Sequence, residues 1–129
     1  MRLLVALIFV ALSGVACYLF LNNRAVNVIA VHYDGNTAQV LVDRLPFTDS
    51  ARINWWQHSQ GQIRKKYNIP NGEEGPFFIT IYDFGDGYKE EGKEDRRCFS
   101  DVKPPRNCID KNILMMIRRT RDGNIQYDF

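Results

Sequence analysis

The stretch LLVALIFVALSGVACYLFL, Leu3 to Leu21, divides the chain. It runs for 19 residues, and only Ser13 and Gly14 break its aliphatic and aromatic side chains. At about 1.5 Å of rise per helical residue it reaches roughly 28 Å, close to the hydrocarbon thickness of a bilayer. Twelve of its residues are Leu, Ile, Val or Phe. Together they favour insertion by about 4 to 7 kcal/mol, with no charge opposing. The reading is an N-terminal transmembrane anchor over residues 1–24, with residues 3–21 in the lipid bilayer, followed by one small domain over residues 25–129.

Two rival readings use the same residues. Arg2 and the small residues Gly14-Val15-Ala16 before Cys17 imitate a cleaved signal peptide, but the apolar run is too long for one. Cutting after Ala16 would also leave Cys17 to Leu21 as an exposed hydrophobic start. A lipoprotein signal usually has an aliphatic residue three before its cysteine, where this chain has Gly14. An uncleaved anchor is favoured, and cleavage or lipidation at Cys17 stays open. Arg2 and the amino terminus flank one side and Arg24 the other, which leans toward a cytoplasmic N-terminus.

Outward from the anchor, Cys98 and Cys108 are the domain's two cysteines, ten positions apart around Pro104-Pro105. An even pair in a small domain points to a disulfide, with two separate thiols as the alternative. Closing such a loop stabilises by roughly 2.5 to 3 kcal/mol in the chain-entropy model. No histidine lies near enough to suggest zinc. A disulfide agrees with the charge bias, so the domain is expected on the non-cytoplasmic side of the membrane. Of 17 Lys and Arg, only Arg2 and Arg24 precede residue 25, which leaves 15 basic and 15 acidic side chains in the domain. A neutral domain lacks the electrostatic footprint of a nucleic-acid binder. At 45% hydrophobic and 25% charged residues, the chain is globular rather than disordered.

Val26 to Tyr33 and Thr37 to Val42 read as two strands joined at Asp34-Gly35-Asn36. Thr48 or Asp49 caps a helix to about Tyr67, with Ile53, Trp56, Ile63 and Tyr67 on one face and Arg64-Lys65-Lys66 in the last turn. Phe77 to Phe84 is apolar on both alternating faces, as a strand covered on two sides would be. Lys89 to Arg97 reads as an exposed charged loop. Ile113 to Ile117 and Ile125 to Phe129 flank Arg121-Asp122-Gly123-Asn124 as a hairpin. The expected fold class is α+β, a small, mainly antiparallel sheet packed against one helix after the transmembrane helix.

No catalytic, cofactor-binding or metal-ligating constellation emerges, and the chain is not expected to be an enzyme or to hold a cofactor. His32 and His58 lack metal-ligand spacing, and Ser50, Ser59 and Ser100 lack a nucleophile-elbow context. Asp83-Phe84-Gly85-Asp86-Gly87 shares letters with a kinase metal motif but reads as a turn. The carboxylates of Asp83, Asp86, Glu90, Glu91, Glu94 and Asp95 suggest calcium weakly. Gly85 stands where a ligand is needed, and Lys89, Lys93, Arg96 and Arg97 neutralise the group. Trp55 and Trp56 are neighbours on a helix, about 100° apart, and cannot both point into one core. Trp56 follows the buried stripe, which leaves Trp55 as the candidate anchor for a protein partner or the membrane interface.

The apolar span, then Val28-Ile29-Ala30-Val31-His32, Leu45-Pro46-Phe47-Thr48-Asp49 and Ile53-Asn54-Trp55-Trp56, resembles the enterobacterial putative membrane-protein family of unknown function. The likeness continues through Lys66-Tyr67-Asn68-Ile69-Pro70, Tyr82 to Lys89, Arg97-Cys98-Phe99 and Asn107 to Lys111. The resemblance implies an inner-membrane anchor and a small extracytoplasmic domain, and carries over no activity or catalytic residue. The expected function is binding of a protein partner, as an immunity or accessory factor. A small periplasmic enzyme or ligand-binding domain is the alternative, and a structural envelope component the third reading.

Overall fold

The computed structural model describes residues 1–129. Helix α1, Arg2–Asn23, carries the apolar run and has no buried residue. It is long and apolar enough to cross a membrane. After it, β1 (Val28–Tyr33) and β2 (Thr37–Val42) pair antiparallel. Their turn is built by Asp34, whose carboxylate accepts from the N–H groups of Asn36 and Thr37, while Gly35 takes φ 98°, a value that side chains resist.

Helix α2, Asp49–Tyr67, starts where Thr48 accepts from the Ala51 N–H through its side chain. It stops at Asn68, which adopts the left-handed conformation at φ 56°. Asn tolerates that state better than other side-chain-bearing residues. The stripe is as expected: Trp56 and Ile63 are buried, and Ile53 and Tyr67 pack against the same cluster.

Strand β3 (Phe78–Asp83) lies in the middle of a five-stranded sheet of order β1-β2-β3-β7-β8, where β7 is Ile113–Arg119 and β8 is Ile125–Asp128. The β7–β8 hairpin forms around the turn the sequence marks. One difference is that β2 and β3 run parallel. Helix α2 carries the chain from one end of the sheet to the other between them, a crossover that composition does not encode.

A second difference is larger. The region read as a charged loop contains β4 (Lys89–Glu90) and β5 (Arg96–Cys98), which pair on either side of β6 (Arg106–Asp110) as a separate three-stranded antiparallel sheet. Backbone pairing, the buried Ile109 and Cys108 and a set of ion pairs on its exposed side hold it. Asp110 accepts from Lys89 Nζ at 2.7 Å and Arg96 Nε at 2.9 Å. These two cations hold the Asp110 carboxyl below the usual carboxylate range. Cys98 and Cys108 are direct cross-strand partners and are disulfide-bonded.

The result is three layers. On one face of the large sheet, Val40, Val42, Ile79, Ile81, Met115 and Ile117 meet α2. On the other, Leu41 and Tyr82 meet Phe99 and Ile109 from the small sheet and its loop. That double cover is why β3 is apolar on both sides.

Candidate functional site

His32 lies on the face of β1 turned toward the small sheet, between the exposed alternation of its own edge strand and the loop after β5. It is only 7% exposed. Its Nδ1 is 2.7 Å from Asp101 Oδ2, and its Nε2 is 2.9 Å from the Tyr88 hydroxyl. The ring stacks on Phe99 at 3.9 Å between centroids and 16° between planes. A carboxylate only accepts, so Nδ1–H donates to Asp101 and Nε2 accepts from the Tyr88 hydroxyl, protons placed from the network. Burial pushes the Tyr88 phenol up, and the charge of Asp101 adds to that.

Beside this clasp opens a cleft of about 330 Å³ lined by His32, Tyr33, Asp34, Gln39, Arg97 and Ser100, among others. Hydrogen bonds from the Thr37 and Asn36 N–H groups hold the Asp34 carboxyl low. Arg97 places its guanidinium carbon 5.5 Å from the Phe99 ring centre. The cleft thus presents two carboxylates, one guanidinium and one imidazole. Both imidazole nitrogens are already occupied within the fold. Proton abstraction by His32 would first require Tyr88 to leave Nε2.

The other singled-out residues lie apart from this site. His58 is exposed on α2, with Nδ1 2.8 Å from the Asn54 carbonyl of its own helix. Asp83 accepts from the Gly85 N–H and from Asn112, so Asp83 to Gly87 is a turn. Glu94 pairs with Arg96, Asp95 with Lys111, and Asp86 with Lys89. No group of three His, Cys, Asp or Glu side chains converges on a point suited to a metal ion. Trp56 is 2% exposed. Trp55, expected outside the core, is half-buried and packs against the edge of the cluster that holds Trp56, its ring centre 6.1 Å from that of Trp56, and its other side lines a cleft against the end of α1 with Asn22 and Arg24. The sequence offers no sign that Asp101, Tyr88 and Phe99 are partners of His32. They lie 69, 56 and 67 positions away in the chain, and no spacing rule spans such distances.

At the opposite end of the domain, a smaller groove of about 120 Å³ runs between Arg64, Phe77, Arg119 and Ile125. Phe77 is 49% and Ile125 52% exposed there. Register places this end far from α1. Thr48, at the start of α2, donates its N–H to Asn22 of α1 at 3.0 Å, whereas Phe78 and Arg118 pair at the other end of the sheet.

No curated protein and no solved structure matches the chain. A family model does match, over residues 2–129. With an apolar N-terminal helix, a disulfide-bonded α+β domain and nearly complete coverage by that model, the chain belongs to the family described as enterobacterial putative membrane protein (DUF943).

Proposed function

We propose that the protein is a single-pass inner-membrane protein that displays its domain in the periplasm and works there by binding another protein, not by catalysis. The observation that carries the binding reading is the groove far from the anchor. Phe77 and Ile125 are large apolar side chains left about half exposed, and Arg64 and Arg119 stand beside them. Isolated exposed apolar residues need no explanation, but a pair flanking one groove supports reading it as a contact surface. The flanking guanidiniums fit a partner segment with an apolar side chain next to a carboxylate. The Cys98–Cys108 bridge supports the periplasmic side, because that compartment keeps such pairs oxidised. Against catalysis stands the full occupation of His32 by Asp101 and Tyr88. The enzyme or ligand-binding alternative draws on the polar cleft beside that clasp, and needs the clasp to open.

A photocrosslinking amino acid at Phe77, in the full-length chain in native membranes, tests the reading. One discrete protein adduct, lost when Ile125→Asp is added, is the expected result. Adducts unaffected by Ile125→Asp refute the groove as a binding surface. Reporter fusions to the C-terminus test the side: alkaline phosphatase activity is expected, and green fluorescence without phosphatase activity refutes the periplasmic placement.

A further inference from the structure

The last turn of α1 and the first turns of α2 enclose a cleft of about 270 Å³ whose walls include Asn22, Arg24, Asn54 and Trp55. Arg24 is its informative member. The Nε of Arg24 is buried and has no hydrogen-bond partner in the chain, while its guanidinium carbon sits 5.6 Å from the centre of the Phe20 ring. An enclosed Nε is out of reach of an outside acceptor, so a ligand in the cleft that Arg24 lines would meet the terminal Nη groups, which a guanidinium presents as further donors. The adjoining loop adds a second observation. Phe47 is 64% exposed, although both its neighbours are pinned. Thr48 donates its N–H to Asn22 Oδ1 at 3.0 Å, and the Pro46 carbonyl accepts from Arg52 Nε at 2.8 Å. A large apolar side chain is therefore held in place beside the end of α1 with no part of the protein covering it.

Depth identifies what covers it. Helix α1 has 22 residues, or roughly 33 Å at about 1.5 Å each, slightly more than a hydrocarbon core of about 30 Å. Asn22 to Arg24 therefore emerge among the headgroups, where phosphate oxygens are the abundant acceptors. The geometry points to a phospholipid seat, in which Arg24 donates to the phosphodiester of a lipid in the leaflet that α1 leaves. Asn22 and Asn54 line the headgroup, Trp55 lies at the interface and Phe47 reaches the acyl region. One guanidinium against one phosphate is a local, charge-assisted pair, so the neutrality of the domain does not oppose it. The inference rests on α1 crossing the membrane, and is independent of which face the domain occupies and of the groove at Phe77.

Two measurements on the full-length chain test it. In detergent, native mass spectrometry is followed during titration with phosphatidylethanolamine, with a galactosyl diacylglycerol of the same acyl chains, and with inorganic phosphate. Phosphatidylethanolamine adducts are expected, with the galactolipid about tenfold weaker and inorganic phosphate weaker still. Arg24→Gln should weaken the phospholipid by about tenfold, and Arg24→Lys, which keeps the charge, by less. Equal binding of the galactolipid, undiminished binding by Arg24→Gln, or inorganic phosphate binding as well as the lipid overturns the seat. In vesicles of phosphatidylethanolamine and phosphatidylglycerol with brominated acyl chains, Phe47→Trp in a Trp55→Phe chain should be quenched, while Trp55→Phe alone, which retains only the buried Trp56, should not. An unquenched Phe47→Trp overturns the docking of this loop on the bilayer.

Discussion

Replacing His32 with Ala should detach the small sheet before it unfolds the domain. Three interactions disappear together: the hydrogen bond to Asp101, the hydrogen bond to Tyr88, and the stacked contact with Phe99. Each hydrogen bond contributes about 1 kcal/mol net, and an aromatic contact adds about 0.5 to 1.5 kcal/mol. Asp101, whose side chain is 61% exposed, regains water and limits the loss on its side. The cost comes to roughly 2 to 3 kcal/mol, which for a domain near this size lowers the melting temperature by roughly 10 to 20 °C. Because all three partners belong to the covering layer, the destabilisation should be local at first. Thermal unfolding of the full-length chain in detergent gives the total. Hydrogen exchange then locates it, with faster exchange expected at the amides of β5 and β6, and β3 and α2 unchanged. His58→Ala is the control, since an exposed residue bonded within its own helix should stay within about 0.5 kcal/mol of the parent. Equal effects of the two substitutions, or acceleration spread evenly over both sheets, would refute the clasp.

The two tryptophans should separate in the same assay. Trp56→Ala is expected to cost about 3 to 5 kcal/mol, and the half-buried Trp55→Ala clearly less, so equal losses would contradict the packing of α2. Alkylation of native membranes followed by denaturation should label Cys17 alone, and reduction should add two more thiols. The paired change Cys98→Ala with Cys108→Ala should lower stability by about 3 kcal/mol, from the loop it opens. Acid should weaken the small sheet through Asp110, whose folded carboxyl titrates below the ordinary aspartate value because Lys89 and Arg96 donate to it. Its contribution is complete above that value and is lost as pH falls through the lower folded one. Asp110→Asn should therefore flatten the stability profile below about pH 4, and an unchanged acid slope would assign that loss to other carboxylates.

The parts legible in the residues are those whose causes are local. The membrane-length helix α1 follows from Leu3 to Leu21, because apolarity is a property summed along one segment. Thr48, Trp56 and Ile63 announce α2 through a cap and a helical spacing, and Asp34-Gly35-Asn36 and Arg121 to Asn124 announce their turns by backbone preference. The double-sided apolar pattern of Phe77 to Phe84 even foretold that something covers each face of β3. What covers the second face was not legible. The strands of the small sheet are short and charged, and Asp110 joins Lys89 and Arg96 across the sheet, so their pairing follows no hydrophobic period. The parallel union of β2 with β3 likewise depends on where α2 delivers the chain. His32 carries the same lesson at the candidate site. Along the chain it is a lone histidine in a strand, and its partners arrive from far downstream only when the small sheet closes over Leu41 and Tyr82. Tertiary structure alone decides that meeting, because a hydrogen bond or a stacked ring depends on distance in space, and sequence separation leaves that distance unspecified until both layers have packed.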